Sequence, residues 1–415
     1  MTSNPAVVAA VMVVLASLTL PLAKRLAADE GDPRLFTLVM VSLGLRFLCS
    51  LVQVYVVKHA YGGVADFTGY ESYGAQIATG LHAGHFSPGR YGVSANGTVN
   101  VTVGIIFAII GDNQIGGFAV FAWIALLGTI AFYRAFRIAL PGAERMRYAV
   151  LVFLMPSLVF WTADIGKEAL MTAFLGVSAN GAARLLSRQP GALVRLVAGL
   201  GLGTLLRPNE SVLVFGALCI AFLIGRARRP GRAGPLGVVA WAALLGVAGF
   251  FMLEATVHFL HLHSLSFGGV RQALHRTDVN NTGTGAGYGS SNYRYSPGIS
   301  HYVQDAYTVL LDPLPVQAHS VTQLLASLEN VVVLGILAVS IGRLGTMVRT
   351  CLREPYILLC LVYTLAFLYF FASLGNLGLL DRERTLLFPF LFVLVSLPAR
   401  RRAVVTAPTS VLALR

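Results

Sequence analysis

Apolar stretches long enough to cross a bilayer recur along this chain, and they limit its fold more than any other feature. They hold 15 to 23 residues, and a helix of about 20 residues spans the roughly 30 Å hydrocarbon layer of a membrane. The stretches lie near residues 5–23, 35–57, 115–133, 148–162, 167–183, 192–206, 211–225, 234–253, 322–342, 355–374 and 385–399. With 56% of its residues hydrophobic and 12% charged, the chain is far from the composition of a soluble domain.

The pattern predicts an all-α polytopic membrane protein that forms a single integral membrane domain over residues 1–415. It indicates about eleven transmembrane helices. Several stretches are short, and the pairs that meet near residues 165 and 208 also fit hairpins that enter the membrane and return. The predicted count therefore ranges from about 10 to about 13.

The net charge of +13 has a distribution that indicates a membrane orientation rather than a polyanionic partner. If the loop with Lys24 and Arg25 is cytoplasmic and the spans alternate, that side holds 21 of the 31 Lys and Arg residues but only 5 of the 18 Asp and Glu residues. Basic loops stay on the cytoplasmic side of a membrane, which accounts for the positive charge without nucleic acid. The pattern predicts an N-terminus outside and a C-terminus inside.

Two long hydrophilic segments, residues 58–114 and residues 254–320, both fall on the extracytoplasmic side. We expect each of these loops to carry short helices. Residues 98–110 of the first segment are apolar but too few to span comfortably, which favours an interfacial or re-entrant segment. Residues 280–298 of the second are rich in glycine, which is typical of a loop over a site.

Unexpected polar residues lie where the predicted spans end on the extracytoplasmic side. They are Asp164, Lys167 and Glu168 in "FWTADIGKEALM", Arg207 and Asn209 in "LLRPNES", Arg382 and Arg384 in "GNLGLLDRERTLLFPF", Asp66, Tyr70, Glu71 and Tyr73 in "GGVADFTGYESYG", and Tyr293 in the second long segment. Taken singly, each cluster also fits an ordinary surface pair or an interfacial arginine. Charges near hydrocarbon are expensive, so their placement on one side favours a shared site.

Other site classes find little support in the residues. A transporter needs polar groups through the middle of the membrane, and Arg46 is the one clear charge deep within a predicted span. The spacing of His258, His261 and His263 does not place three imidazoles on one helical face. We therefore predict no metal site there.

An acidic residue followed by tyrosine in the first outer loop, a many-helix bundle and basic residues at outer helix ends together resemble the GT-C superfamily of polyprenyl-phosphate-sugar glycosyltransferases. The stretches "PSLVFWTADIGKEAL", "LLRPN" and "GNLGLLDRERTLLFPF" are similar to bacterial membrane transferases of exopolysaccharide and cell-envelope assembly. The likeness spans most of the chain through short motifs. In the superfamily the loop acid usually follows the first helix, whereas Asp66 follows the second predicted span.

The resemblance implies a multi-pass enzyme of the bacterial cytoplasmic membrane with an extracytoplasmic active site. Its donor would be a polyprenyl-phosphate sugar and its acceptor a glycan or lipid of the cell envelope, with membrane lipids around it. We expect Asp66 to take the acceptor proton, with Asp164 and Glu71 as the other candidate catalytic residues.

A departing phosphate needs fixed cations, and arginine and lysine both serve that purpose. The set expected to bind substrate is Lys167, Glu168, Arg207, Asn209, Arg382, Arg384, Tyr70, Tyr73 and Tyr293. No cofactor is certain, and a divalent cation stays open. The alternatives are a polysaccharide polymerase or ligase acting on a diphosphate-linked oligosaccharide and, less favoured, a lipid-linked-sugar transporter or flippase.

Overall fold

The computed structural model describes residues 3–60, 65–227, 235–259, 299–318, 321–374 and 376–399, and the regular elements within them are helices. They are α1 (Pro5–Glu30), α2 (Arg34–Ala60), α3 (Asp66–His82), α4 (Asn96–Ile110), α5 (Gln114–Ala139), α6 (Arg145–Leu154), α7 (Pro156–Phe160), α8 (Lys167–Leu186), α9 (Ala192–Leu206), α10 (Pro208–Ala227), α11 (Pro235–Phe259), α12 (Tyr302–Leu311), α13 (Val321–Ser340), α14 (Leu344–Thr350), α15 (Pro355–Phe371), α16 (Leu377–Glu383) and α17 (Phe388–Val395). Short 3-10 turns join several of them.

Six helical segments in the described part of the chain are long and apolar enough to cross a membrane. They are Pro5–Glu30, Arg34–Val57, Gln114–Ala139, Lys167–Leu186, Pro208–Gly225 and Gln323–Thr350. Four shorter apolar helices are Asn96–Ile110, Ala192–Leu206, Leu245–Phe259 and Pro355–Phe371. The chain thus has the character of an α-helical membrane protein, while the count of eleven spans stays a prediction.

Two of the predicted spans are not continuous helices. Residues 148–162 are divided between α6 and α7, because Pro156 lacks an N–H and its ring keeps Met155 out of the helical region, at φ −58° and ψ 122°. Residues 385–399 contain a 3-10 turn followed by α17, which has 8 residues, all of them buried. Both breaks lie near segments that carry charged side chains.

The first long loop contains α3 and α4, which pack closely along each other. A Cβ on Gly74 would lie 2.4 Å from Val103 Cγ1, and a Cβ on Gly104 would lie 2.6 Å from Ile77 Cγ2, so only glycine fits at these crossings. The predicted interfacial or re-entrant segment 98–110 lies within α4. Its position relative to a membrane stays a prediction. Residues 260–298 of the second long loop, including His261 and His263, lie outside the described residues.

The centre of the bundle is built on α5 and α8. A Cβ on Gly176 of α8 would lie 2.3 Å from the carbonyl oxygen of Gly128 on α5, which shows how near the two backbones come. Small residues at such crossings let helices pack closely in a membrane, where packing replaces the hydrophobic effect. The pair places the N-terminus of α8 firmly within the molecule.

One end of the bundle, which we call the arginine end, is where α1, α5, α6 and α13 meet. Glu30, the last residue of α1, pairs with Arg137 of α5 at 2.7 Å and with Arg145 of α6 at 3.3 Å. Arg343, just beyond α13, pairs with Glu144, just before α6, at 2.7 Å. These basic residues come from loops that the charge pattern assigns to a single side.

The opposite end, which we call the site end, is where α3 and α8 begin, α9 meets α10, and α16 ends. Helices α6 and α7 lead to it from the arginine end, and α17 leads back. The return is fixed by a hydrogen bond from the backbone N–H of Glu144 to the carbonyl of Ser396, at 3.1 Å. Charged residues at helix ends therefore separate into two groups along the bundle axis.

We expect Gly176→Ala to lower the thermal unfolding midpoint of the purified protein in detergent, because the new methyl group forces α5 and α8 apart. Overpacking of this kind costs about 1–3 kcal/mol. Gly216→Ala is the matched control, since a Cβ at that position meets nothing within 4 Å. Equal midpoints for the two variants would contradict the close helix pair.

Candidate functional site

A fully buried carboxylate, Glu168, lies at the centre of the site end. Its Oε1 accepts from Arg207 Nη2 at 2.9 Å and its Oε2 accepts from Arg382 Nη2 at 3.0 Å. Glu168 is in the first turn of α8, where the positive end of the helix dipole also favours negative charge. One side chain thus holds two arginines that are 175 residues apart in the chain.

Arg207 lies in the break between α9 and α10 and is surrounded by carboxylates. Besides Glu168, it donates through Nη1 to Glu210 Oε1 at 3.1 Å and to Glu383 Oε2. Burial favours loss of its proton, but the three carboxylates outweigh burial and raise the pKa of Arg207 above its ordinary value. Because both terminal nitrogens are occupied, a phosphate would have to displace a carboxylate to bind Arg207.

Arg382 and Asp66 form the accessible part of the site. Asp66, the first residue of α3, accepts from Arg382 Nη1 at 3.0 Å, and its side chain is 67% exposed. The Arg382 side chain is 22% exposed, and Glu168 fixes its other terminal nitrogen. Glu168, Asp164 and Asp66 hold the pKa of Arg382 well above its ordinary value. An exposed carboxylate therefore lies against a permanently charged, firmly held guanidinium.

Asp164 and Glu168 lie on either side of Gly166. A Cβ on Gly166 would lie 3.0 Å from Asp164 Oδ1 and 3.0 Å from Glu168 Oε2, which places the two carboxylates close together. Asp164 Oδ1 is buried and accepts no hydrogen bond from the described residues. Burial raises the pKa of Asp164 to about 7, an effect that Arg382 opposes and Glu168 reinforces.

Carboxylates outnumber cations in this cluster. The carboxylates are Asp66, Asp164, Glu168, Glu210 and Glu383, and the cations are Lys167, Arg207 and Arg382. Lys167 is half-buried and makes no ion pair with the described residues. Within those residues, no group of three or more His, Cys, Asp and Glu side chains is arranged to hold a metal ion. Lys167 and Arg382 are the less enclosed of its three cations, whereas Arg207 is buried.

Four polar side chains at helical spacing on α2 hold the segment that leads to Asp164. They donate from Ser42 to Phe153 O at 2.7 Å, from Ser50 to Ala163 O at 2.8 Å, from Gln53 to Phe160 O at 3.0 Å, and from Arg46 Nη1 to Thr162 Oγ1. The break at Pro156 and the turns after α7 leave carbonyls that a continuous helix would have satisfied. The polar face of α2 supplies the missing donors, and Arg46 is entirely buried there.

The other predicted residues of α3 are Tyr70, Glu71 and Tyr73, and each has different neighbours. Tyr70 is buried beside the cluster, and its hydroxyl donates to Asn96 Oδ1 at 3.3 Å. Glu71 faces another side of α3, where Gln114 donates to its Oε2 at 3.0 Å. Burial raises the pKa of Glu71 to about 7. Tyr73 packs edge-to-face on Tyr91, with ring centroids 5.0 Å apart.

Arg384, Asn209 and Tyr293 are the remaining predicted site residues. Arg384 is buried on the far side of α16, with Nη2 at 3.0 Å from Asp381 Oδ1, and does not reach the Asp66 side. Asn209 follows Arg207 in the first turn of α10, and its buried Oδ1 has no hydrogen-bond partner in the described chain. Tyr293 lies outside the described residues.

The sequence interpretation did not assign site roles to Glu210 and Glu383, which the structure joins to Arg207. Glu210 carries a signal in the sequence, because it is three residues after Arg207 and in the first turn of an apolar helix. Glu383 has no such signal. Its pairing with Arg207 spans 176 residues and depends on how α16 packs against the α9–α10 break.

Comparison of the chain with known protein families, with curated proteins and with solved structures found no match. The assignment of function therefore depends on the residues and on their geometry.

Removal of Arg207 should destabilise the protein strongly, because Arg207→Met leaves Glu168, Glu210 and Glu383 facing one another without their cation. Breaking a buried ion pair by deleting one partner typically costs about 3–5 kcal/mol. Arg382→Met is the comparison, and we expect a smaller loss because Arg382 is partly exposed. Thermal unfolding in detergent measures both. Wild-type stability in Arg207→Met would contradict the enclosure of Arg207 by three carboxylates.

The raised pKa of Asp164 also predicts a pH dependence of stability. Its folded pKa of about 7 is above the ordinary value of 3.8, so the protonated acid stabilises the folded state at low pH. That contribution is complete below the ordinary value and is lost as pH rises to about 7. We expect the thermal unfolding midpoint of Asp164→Asn to decrease less than that of the wild type as pH rises through this range. Because Glu71 titrates similarly, Glu71→Gln should remove a separate part of the slope.

Proposed function

We propose that this protein is a membrane glycosyltransferase that transfers a sugar from a polyprenyl-phosphate-linked donor to a glycan or lipid acceptor of the cell envelope. The observation that carries the proposal is the contact between the exposed carboxylate of Asp66 and the fixed guanidinium of Arg382. A group that removes a proton from an acceptor hydroxyl must be accessible, and a group that stabilises a departing phosphate must be charged and held in place. The two are adjacent at the site end.

In the proposed reaction the acceptor oxygen attacks the anomeric carbon of the donor while its proton passes to the carboxylate of Asp66. The bond between the anomeric carbon and the phosphate oxygen breaks, and its electron pair leaves with the polyprenyl phosphate. Arg382 and Lys167 stabilise the negative charge that develops on that phosphate. A single displacement of this kind inverts the configuration at the anomeric carbon.

The buried members of the cluster support this chemistry by holding Arg382 in place. Glu168 occupies one terminal nitrogen of Arg382, and Arg207 fixes Glu168 in turn. We therefore assign Arg207 a positioning role, since its own nitrogens are taken by three carboxylates. Asp164 remains the second candidate for the base, because its carboxylate lies close to Glu168 and its pKa is near neutrality.

The proposal places the enzyme in the bacterial cytoplasmic membrane with the site end outside. The basic residues at the arginine end agree with a cytoplasmic location for that end. A polyprenyl tail would lie between helices, with its phosphate at the level of Arg382. This orientation gives a polar acceptor access to Asp66 from the extracytoplasmic side.

Asp66→Asn should reduce sugar transfer by about 10² to 10⁴, the usual contribution of a general base, because the amide keeps the size of the side chain and cannot accept the proton. Donor binding should survive, since the variant keeps Arg382 and Lys167. The assay is transfer of a labelled sugar by purified protein in nanodiscs from a synthetic polyprenyl-phosphate donor.

Glu71→Gln is the matched control, because Glu71 is on the same helix but faces Gln114 instead of Arg382. It should keep most of the wild-type rate. Normal transfer by Asp66→Asn together with loss in Asp164→Asn would move the base to Asp164. Normal transfer by both variants would reject the proposed chemistry.

A further inference from the structure

A cavity of about 400 Å³ separates α13 and α14 from α15 and α17 near the arginine end. Its walls are aliphatic, and Leu337, Leu361 and Leu391 are representative of them. The volume is within the usual range for sites that hold small molecules. Arg343 is at its edge and supplies the charged part of its lining.

The cavity lies beside the C-terminal half of α13, between two attachments of that helix to its neighbours. At one place Asn330 donates to the carbonyl of Pro313 at 2.8 Å. At the other, Arg147 donates to Ser340 at 2.6 Å and Arg343 pairs with Glu144. The span that contains α13 is the least buried of the six, because only 22% of its apolar stretch is buried inside the protein.

Water is a poor occupant for this space. A buried water needs two to four polar partners, whereas the walls between these two attachments are aliphatic. A void would leave the lining side chains without the contacts that close packing supplies. Flexible hydrocarbon from the surrounding bilayer meets both requirements, so an acyl chain fits the chemistry of the walls.

The edge of the cavity carries an excess of positive charge. Arg343 and Arg147 are near enough to affect each other, and Glu144 is the carboxylate that faces them. Arg147 does not line the cavity, but its Nη2 donates to Ser340, which does. A phosphate at this edge would balance the guanidinium charge that Glu144 leaves uncompensated, as in other basic pockets between transmembrane helices.

We propose that this cavity binds one acyl chain of an anionic phospholipid, whose phosphate is held by Arg343 and Arg147. The site is at the arginine end, away from Asp66 and Arg382, and stands independently of the proposed transfer reaction. Bound lipid would fill the gap between α13 and the bundle and hold the span in place.

The test is native mass spectrometry of the delipidated, full-length protein titrated with phosphatidylglycerol and with phosphatidylcholine of the same acyl chains. We expect one phosphatidylglycerol to bind with preference over phosphatidylcholine. Arg343→Gln should weaken phosphatidylglycerol binding about fivefold, the effect of one basic residue on an anionic lipid, and leave phosphatidylcholine unchanged. Arg349→Gln is the matched control, because Arg349 is exposed on α14 and does not line the cavity.

A second pair of variants tests the cavity itself. Ala338→Phe fills it and should abolish the single tight lipid, whereas Val339→Phe places the same ring at a neighbouring residue that is 73% exposed and outside the lining. This pair decides the question even if Arg343→Gln fails to fold. Equal binding by Ala338→Phe and Val339→Phe, or equal affinity of wild type for the two lipids, would overturn the proposal. So would retention of a polyprenyl phosphate in place of phosphatidylglycerol.

Discussion

The buried carboxylate of Glu168 connects the two arginines on which the site end is built. A lone ionised carboxylate with no exposed surface would be strongly unfavourable, and charge-assisted hydrogen bonds to Arg207 and Arg382 make it tolerable. The same bonds fix where both guanidinium groups can lie. Arg382 reaches the exposed Asp66 from a position set by the interior, so the geometry of the accessible pair depends on a residue that meets no solvent.

Interruptions in the helices make this arrangement possible. Pro156 separates α6 from α7, Pro208 begins α10 directly after α9, and Arg207 lies at the second junction. Carbonyls near the first break accept hydrogen bonds from Ser42, Ser50 and Gln53 on the polar face of α2, and Arg46 of the same face donates to the Thr162 hydroxyl. Broken helices in membranes are tolerated where protein groups satisfy the backbone. Here the satisfied breaks carry the charged side chains of the site.

The sequence indicated which charged residues lie at the site end better than it indicated how they pair. Alternation of the spans placed Asp66, Glu168 and Arg382 on one side, and the structure brings these three into contact. It did not predict that Arg207 would be enclosed by three carboxylates, because Glu383 reaches it only through the packing of distant helices. Arg384 shows the same limit, since it lies two residues after Arg382, in the 3-10 turn that follows α16, and pairs with Asp381 instead of the site carboxylates.

The decisive experiment is a cryo-EM structure of the Asp66→Asn variant in a nanodisc with a short-chain polyprenyl-phosphate sugar. We expect density for the donor phosphate within hydrogen-bond distance of Arg382, with the sugar facing residue 66 and Glu168 still bound to Arg207. Donor phosphate bound at Arg343 instead, or at a site that leaves Arg382 unoccupied, would rule out Arg382 as the phosphate subsite.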